Sequence, residues 1–319
     1  MKKRNIMILI FLIISLFFTL SVRTQGEEKD IAELLRACME QHRGPARKIT
    51  KSVNITDELL QKSDPNKILD VLAPYENDPE WSVRHTNHLI IASLADIHPS
   101  PKIRQEVATR LVKAALNKAD GSAGTLLMEF RERDFNDTSK NIIREYISKD
   151  TAGTLVVKLC GIANIKESLP RLEKLLIDEV KYQNDPNMKY GTPWYYTTEW
   201  HARLARARMG VKEDIDKCVN LIEREININK KWQLLDNLGY IRQPKAIESL
   251  KKYTLSNLRL PSTTDKKEGE LYASYIINIL ADNLENFPIP KREQRGYKQD
   301  QIELCRKWMS EQKEWKIIR

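Results

Sequence analysis

The feature that most constrains the fold is a helix–turn–helix pattern in residues 233–253, which read QLLDNLGYIRQPKAIESLKKY. Leu234, Leu235 and Leu238 have helical spacing, and Gly239 follows them where this helix is predicted to end, because glycine tolerates the left-handed backbone of a helix C-terminus. A second stripe after the turn consists of Ala246, Ile247, Leu250 and Tyr253. A hairpin with one apolar stripe on each helix cannot bury both stripes by itself, so the pattern predicts neighbours of the same kind.

The same pattern surrounds two other glycines, Gly161 and Gly210. An apolar residue stands immediately before each of the three glycines, and further apolar residues follow at eight and eleven positions. These later residues are Leu169 and Leu172, Cys218 and Leu221, and Ile247 and Leu250. The step from Gly210 to Gly239 is 29 residues, whereas the step from Gly161 to Gly210 is 49 residues, which predicts an insertion between the earlier two copies.

Two upstream helices begin with a branched residue followed by arginine, at Val83-Arg84 and Ile103-Arg104. Together with the glycine pattern, these starts resemble the HEAT-like helical repeat family, in particular the short repeats of about 30 residues found in phycobilisome lyase-type proteins. The resemblance covers about residues 78–255 and implies an all-α fold, a right-handed α-solenoid of stacked antiparallel helix pairs. Asn87 and His88 depart from it, since the family repeats usually carry alanine at those positions.

The chain is accordingly divided into four segments. They are an export segment at 1–25, an atypical N-terminal helical cap at 27–76, HEAT-like repeats at 77–255 with an aromatic insertion at 181–197, and a linker with a capping helix pair at 256–319. The predicted helix pairs are Glu80–Ile97 with Lys102–Lys118, Gly124–Arg133 with Thr138–Ser148, Thr151–Cys160 with Lys166–Val180, Thr198–Met209 with Lys212–Glu225, Lys230–Leu238 with Pro244–Leu255, and Glu270–Asn286 with Gln299–Glu314.

The first 25 residues are typical of an export signal. Lys2, Lys3 and Arg4 precede the apolar run Ile6–Leu20, and this order fits either a cleaved signal peptide or an uncleaved membrane anchor. Both alternatives predict a periplasmic or extracellular protein that meets a membrane only through this segment. Residues 1–25 hold four of the 53 basic and none of the 44 acidic residues, so the remainder has a net charge of +5. That excess indicates an acidic partner only weakly.

No pattern in the sequence predicts a metal or a cofactor. The cysteines Cys38, Cys160, Cys218 and Cys305 lack metal-ligand spacing and are interpreted as buried core residues, although export leaves disulfides open. His85 and His88 are three residues apart, with Asp96 and His98 further along. They lack the i, i+4 spacing and the adjacent glutamate of a zinc-protease helix, and are interpreted as ordinary histidines.

The insertion is the predicted partner-binding segment. Tyr and Trp combine a large contact area with a polar tip, which makes them frequent anchors in interfaces. The predicted contacts are Tyr190, Trp194, Tyr195, Tyr196, Trp200 and Arg203. The alternative is that these rings fold back and cover the seam between adjacent repeats.

Three functions remain open. The favoured one is a non-catalytic scaffold that binds a protein or peptide, since stacked helix pairs form extended surfaces. The second is a lyase-like enzyme on the same repeats, which rests on the resemblance alone. The third is a polyanion-binding module built on basic residues of neighbouring helices. These are Arg203, Arg206, Arg208, Arg242, Lys245, Lys251 and Lys252. Acidic residues are interspersed among them, and nucleic acid is not expected as a partner of an exported protein.

Overall fold

The computed structural model describes residues 30–43, 55–117, 120–177, 197–259, 271–291 and 297–318. Over these ranges the protein is all-α, as predicted, and its only β-type pairings there are two isolated bridges. The helices are α1 (Ile31–Gln41), α2 (Asp57–Lys62), α3 (Pro65–Leu72), α4 (Trp81–Ile97), α5 (Pro101–Asn117), α6 (Gly121–Leu127), α7 (Asp137–Ser148), α8 (Thr154–Ile162), α9 (Leu169–Ile177), α10 (Thr198–Arg208), α11 (Lys212–Arg224), α12 (Ile228–Ile241), α13 (Pro244–Leu255), α14 (Tyr272–Asn283) and α15 (Gln299–Glu311), with 3₁₀-helices at Ala73–Asn77, Glu132–Asp134 and Lys166–Ser168.

The chain forms two compact units, Met1–Ile143 and Arg144–Arg319. In the first unit α4 is central and packs against α1, α2, α3, α5 and α6. Val83, Ile91 and Leu94 on α4 are fully buried, which gives this unit its core. The predicted pair at 80–118 is therefore present as α4 and α5, while the helix predicted over 124–133 is shorter and lies earlier, as α6.

The arginines of the two branched-residue–arginine starts have matching roles. Arg84 Nε donates to Asp120 Oδ2 (3.1 Å), 36 residues further along. Arg104 donates from Nε and Nη2 to the two carboxylate oxygens of Asp134 (2.8 and 2.9 Å), 30 residues further along. Both aspartates are buried. Each arginine thus ties the start of a long helix to a later element of the same unit by a charge-assisted hydrogen bond.

In the second unit, several helices that are two apart along the chain contact each other. α8 packs against α10, α10 against α12, and α12 against α14, while α11 packs against α13. Consecutive helices from α9 to α14 also contact each other, both within the predicted pairs and between them. The shared core includes Trp200, Leu235, Ile247 and Tyr272, all nearly inaccessible to solvent. Leu221, one of the residues aligned on the glycines, is exposed instead of lying in the core. Its neighbours Val219 and Ile222 pack inward beside Cys218.

The prediction that Gly161 and Gly239 end their helices is wrong. Gly161 lies inside α8 and Gly239 inside α12. A Cβ added at Gly161 would lie 2.9 Å from Ala205 Cα and overlap Tyr240 Oη, and a Cβ at Gly239 would overlap Ile279 Cγ2. Both glycines therefore permit close approach of a neighbouring helix.

The third aligned glycine, Gly210, follows the end of α10 and has a positive φ of 96°, so it alone behaves as predicted. The left-handed residue after α12 is Arg242. Glycine suits both a left-handed turn and a close contact between helices, because it has no Cβ. The position of a glycine in the sequence therefore does not show which of these two roles it has.

The C-terminal helices of the second unit do not form an antiparallel pair. Tyr297 N donates to Ser274 Oγ (3.1 Å) near the start of α14, and Ile318 N donates to Asn283 O (2.9 Å) at its end. The segment that carries α15 therefore runs in the same direction as α14. Its last residues cover this end of the core, where Trp315 Nε1 donates to Glu248 Oε1 (2.6 Å).

The four cysteines are all buried and free, in agreement with their interpretation as core residues. Burial raises the pKa of the Cys38 thiol to about 11 and the pKa of the Cys160 thiol to about 12. Among the helices described, none combines the length and apolar character needed to span a lipid bilayer.

Candidate functional site

The structure describes two of the predicted partner-binding residues, and both are buried. Trp200 is 0% exposed in the core of the second unit, and Arg203 is 5% exposed. Their side chains therefore offer a partner little or no accessible surface. Tyr190, Trp194, Tyr195 and Tyr196 lie outside the described residues, so partner binding by these four stays a prediction.

Arg203 belongs to a buried ion-pair network. Its Nη1 donates to Asp214 Oδ1 (2.7 Å), while Arg206 Nε donates to Asp214 Oδ2 (2.6 Å). The Asp214 side chain is only 2% exposed. One carboxylate on α11 thus fixes two guanidinium groups on α10, which is a packing role within one helix pair.

The other basic residues considered for polyanion binding also have hydrogen-bond or ion-pair partners. Lys245 Nζ lies 2.8 Å from Asp216 Oδ1, and Lys252 Nζ lies 2.8 Å from Glu223 Oε1. Arg208 Nη1 donates to Tyr240 O (2.7 Å) and Arg242 Nη1 to Ile318 O (2.7 Å). Two of these four residues pair with carboxylates and the other two donate to backbone carbonyl oxygens.

The histidines on α4 lie in a partly buried cluster of the first unit. His85 stacks on the exposed Trp81 ring, with centroids 4.8 Å apart. His88 Nδ1 lies 3.3 Å from Ser122 Oγ, which donates to Asp120 Oδ1 (2.6 Å). Within the part of the chain that the structure describes, no group of three or more His, Cys, Asp and Glu side chains is arranged to hold a metal ion.

A different set of polar residues meets in the second unit, where two contacts fix the register of α8 and α10. Thr154 Oγ1 lies 3.3 Å from Thr198 Oγ1, and Gly161 meets the backbone of Ala205. Both contacts join residues 44 positions apart, so α8 and α10 run parallel with a constant offset. The same offset places Lys158 of α8 beside residues 201–202 of α10.

The positive charge of Lys158 influences the protonation of His201. Burial lowers the pKa of the Lys158 ammonium, and the Asp236 carboxylate raises it in part. Burial, followed by the Lys158 charge, lowers the pKa of His201 to about 4. His201 Nδ1 lies 2.7 Å from Thr197 O, which can only accept, so Nδ1 carries the proton and Nε2 is bare. At neutral pH the pair is a cation beside a neutral imidazole.

Two tyrosines extend this arrangement across α12 and α14. Tyr240 Oη donates to Lys158 O (2.7 Å), which joins α12 to α8. Tyr275 Oη of α14 donates to Asp236 Oδ2 of α12 (2.6 Å). Lys158, His201, Asp236 and Tyr275 therefore occur in that order across four neighbouring helices, and we call these four residues the polar row.

The polar row carries a cation on α8, a carboxylate on α12 and a phenol on α14. Such spaced charges can select a ligand by charge and orientation. His201 is 4% exposed, so its neutral ring is buried and has little access to a ligand as a base. Sequence reasoning missed this row although a signal was present, because Lys158 and Asp236 each precede their aligned glycine by three residues.

The structure thus defines the class as an all-α protein in which the polar row crosses four neighbouring helices. Comparisons with known protein families, with curated proteins and with solved structures gave no match to this chain.

Acidification should weaken both units through one buried histidine in each. Burial lowers the pKa of His88 and of His201 to about 4, below the ordinary value of 6.5. The unfolded chain therefore binds protons first, and stability present above pH 6.5 is lost as the pH falls towards 4. Each histidine should remove about 2 kcal/mol of unfolding free energy by pH 5.

Urea denaturation at pH 7.5 and pH 5 measures this loss. His201→Asn should remove the part assigned to the second unit and His88→Asn the part assigned to the first. The change in unfolding free energy between the two pH values is taken within each variant, so that any loss of packing caused by the substitution cancels. A wild-type pH dependence retained in both variants would contradict this assignment.

Proposed function

We propose that this chain is an exported, non-catalytic scaffold of stacked helix pairs that binds a protein or peptide along the polar row. The observation that carries the proposal is the order of helix contacts in the second unit, where α8, α10, α12 and α14 are neighbours in sequence order. Such stacking is how helical repeats build extended binding surfaces. The N-terminal basic and apolar segment supports export, with membrane contact only through residues 1–25.

The finer architecture belongs to the same proposal. A right-handed α-solenoid of HEAT-like, antiparallel pairs agrees with the parallel register of α8 and α10, because the helix between them must return in the opposite direction. The contacts of α11 with α13 supply the second layer of such a stack. The C-terminal segment with α15, which runs along α14, would then cap the array.

The alternatives have less support from side-chain chemistry. A polyanion-binding module needs an open basic surface, and most of the basic residues proposed for it are hydrogen-bonded to acids or to backbone oxygens. A lyase-like enzyme rests on the resemblance alone, and the histidine of the row, His201, is buried and therefore poorly placed to act as an acid or base. The scaffold is thus the function that the arrangement of residues favours.

Selection of random heptapeptides on the immobilised full chain tests this function. We expect one peptide family to be enriched, and its affinity should fall roughly tenfold when the exposed Asp236 is replaced by arginine. Glu303→Arg on α15 is the matched control, because Glu303 is exposed and lies outside the row. Failure to enrich any peptide family, or equal affinity for both variants, would contradict the proposal.

The same selected peptides test the aromatic segment. Replacement of Trp194, Tyr195 and Tyr196 together by alanine should reduce their binding while the melting transition stays cooperative. Loss of cooperative melting would instead indicate that these rings cover the fold.

A further inference from the structure

We propose that the Lys158 end of the polar row binds an acidic side chain, glutamate or aspartate, of a peptide partner. This inference rests on the proposed function, because it names the chemistry of the partner that the scaffold binds. The residues that carry it are Lys158, Thr154 and Thr198, which lie on adjacent turns of α8 and α10.

The charge of Lys158 favours an anionic ligand. Its side chain is half-buried, and none of its described neighbours gives it an ion pair; Asp236 acts on it only through the longer-range field. A partly desolvated cation without a paired anion is unfavourable, and a ligand carboxylate at Nζ would remove that penalty. Lys245 and Lys252 of the same unit differ, because each already contacts an acidic side chain.

A pair of hydroxyl groups lies one helical turn from Lys158. Thr154 Oγ1 and Thr198 Oγ1 share one hydrogen bond of 3.3 Å. Two hydroxyls that share one bond use one proton, which leaves the second proton as a donor for a ligand oxygen. An ammonium and a hydroxyl on one face are suited to the two oxygens of a carboxylate.

The other residues of the polar row determine how a ligand is oriented. His201 is neutral at physiological pH and adds no charge that would compete for the ligand. Asp236 would repel a carboxylate, but Tyr275 Oη holds one of its oxygens on the α14 side. The row therefore favours an anion at α8 and a cation or hydrogen-bond donor at α12, which orients a bound peptide.

Fluorescence anisotropy with labelled acetyl-hexaglutamate tests the proposal, with acetyl-hexaserine and acetyl-hexalysine as the comparison probes. At low ionic strength, about 20 mM, the full chain should bind hexaglutamate most tightly of the three. Lys158→Met keeps most of the apolar stem and should weaken that binding about tenfold. Lys217→Met, at an exposed position of α11, should leave it unchanged. Circular dichroism melting of both variants excludes unfolding as the cause.

Binding should also weaken at alkaline pH, earlier than for an ordinary surface lysine, because burial lowers the pKa of Lys158. Hexaglutamate binding equal to that of hexaserine, or equal loss in the two lysine variants, would overturn the proposal. A selected heptapeptide family that lacks acidic residues would overturn it as well, while leaving the scaffold function intact. Absence of any selected family would instead overturn the scaffold function.

Discussion

Replacing Asp214 by alanine should lower the free energy of unfolding by about 3–5 kcal/mol, the largest effect expected for a single substitution in the second unit. The Asp214 carboxylate accepts from Arg203 at 2.7 Å and from Arg206 at 2.6 Å. The Arg203 side chain is only 7% exposed, so loss of the carboxylate removes a counter-charge from a buried guanidinium. Desolvation of that charge is then offset less fully, which is why breaking a buried pair costs more than a surface pair contributes.

Asp216→Ala is the matched control for this substitution. Asp216 lies two residues further along α11 and pairs with Lys245, but both side chains are more than 40% exposed. Its loss should cost less than about 1 kcal/mol, because solvent screens exposed pairs. Urea denaturation at pH 7 measures both values. The slope of the unfolding free energy against urea concentration should be the same in both variants, which checks two-state behaviour. Similar values for the two variants would show that the buried network contributes little.

Gly161→Ala should destabilise the chain by about 3 kcal/mol, although alanine is the better helix former by about 1 kcal/mol. The added Cβ would lie 2.9 Å from Ala205 Cα and overlap Tyr240 Oη. Ala205 Cα belongs to the backbone of α10, so α8 and α10 would have to separate. The hydrogen bond from Tyr240 Oη to Lys158 O would then be strained or lost, which adds the penalty of a buried unpaired hydroxyl.

Two other glycines provide controls for this prediction. Gly121→Ala places its Cβ in open space within α6 and should be neutral or slightly stabilising. Gly239→Ala meets the Ile279 side chain, so Ile279→Ala in the same chain should recover part of its loss. Thermal and urea unfolding of the three glycine variants supply the comparison. A stabilised Gly161→Ala variant would show that α8 does not approach α10 this closely.

The sequence was sufficient for the fold class and for most helix positions. Pro244–Leu255 was predicted with the bounds that the structure has, because Pro244 marks the helix start and one apolar stripe runs through it. Leu221 was expected in the core but is exposed, because the buried face of this helix contains Val219 and Ile222 instead. The direction of α15 was not predictable, because it depends on where the residues between α14 and α15 return the chain.

The candidate site depended on information that a single helix does not contain. Lys158 and Asp236 are ordinary charged residues in their own helices, and their proximity follows from the register between helices. That register is set by close contacts such as Gly161 with Ala205. The clustered Tyr and Trp residues predicted partner binding, yet Trp200 is a core residue. Side-chain type alone therefore did not show that Trp200 is buried.

The polar row exists only if α8 and α10 are parallel neighbours in the register described above. Disulfide formation between Thr154→Cys and Thr198→Cys tests it most directly, because the two hydroxyl oxygens lie 3.3 Å apart and disulfides require close, well-oriented side chains. The register predicts rapid cross-linking in the folded chain under mild oxidation, while the shifted pair Thr154→Cys and Glu199→Cys should react far more slowly. Equal rates for the two pairs, or cross-linking only in urea, would contradict the register and the row that depends on it.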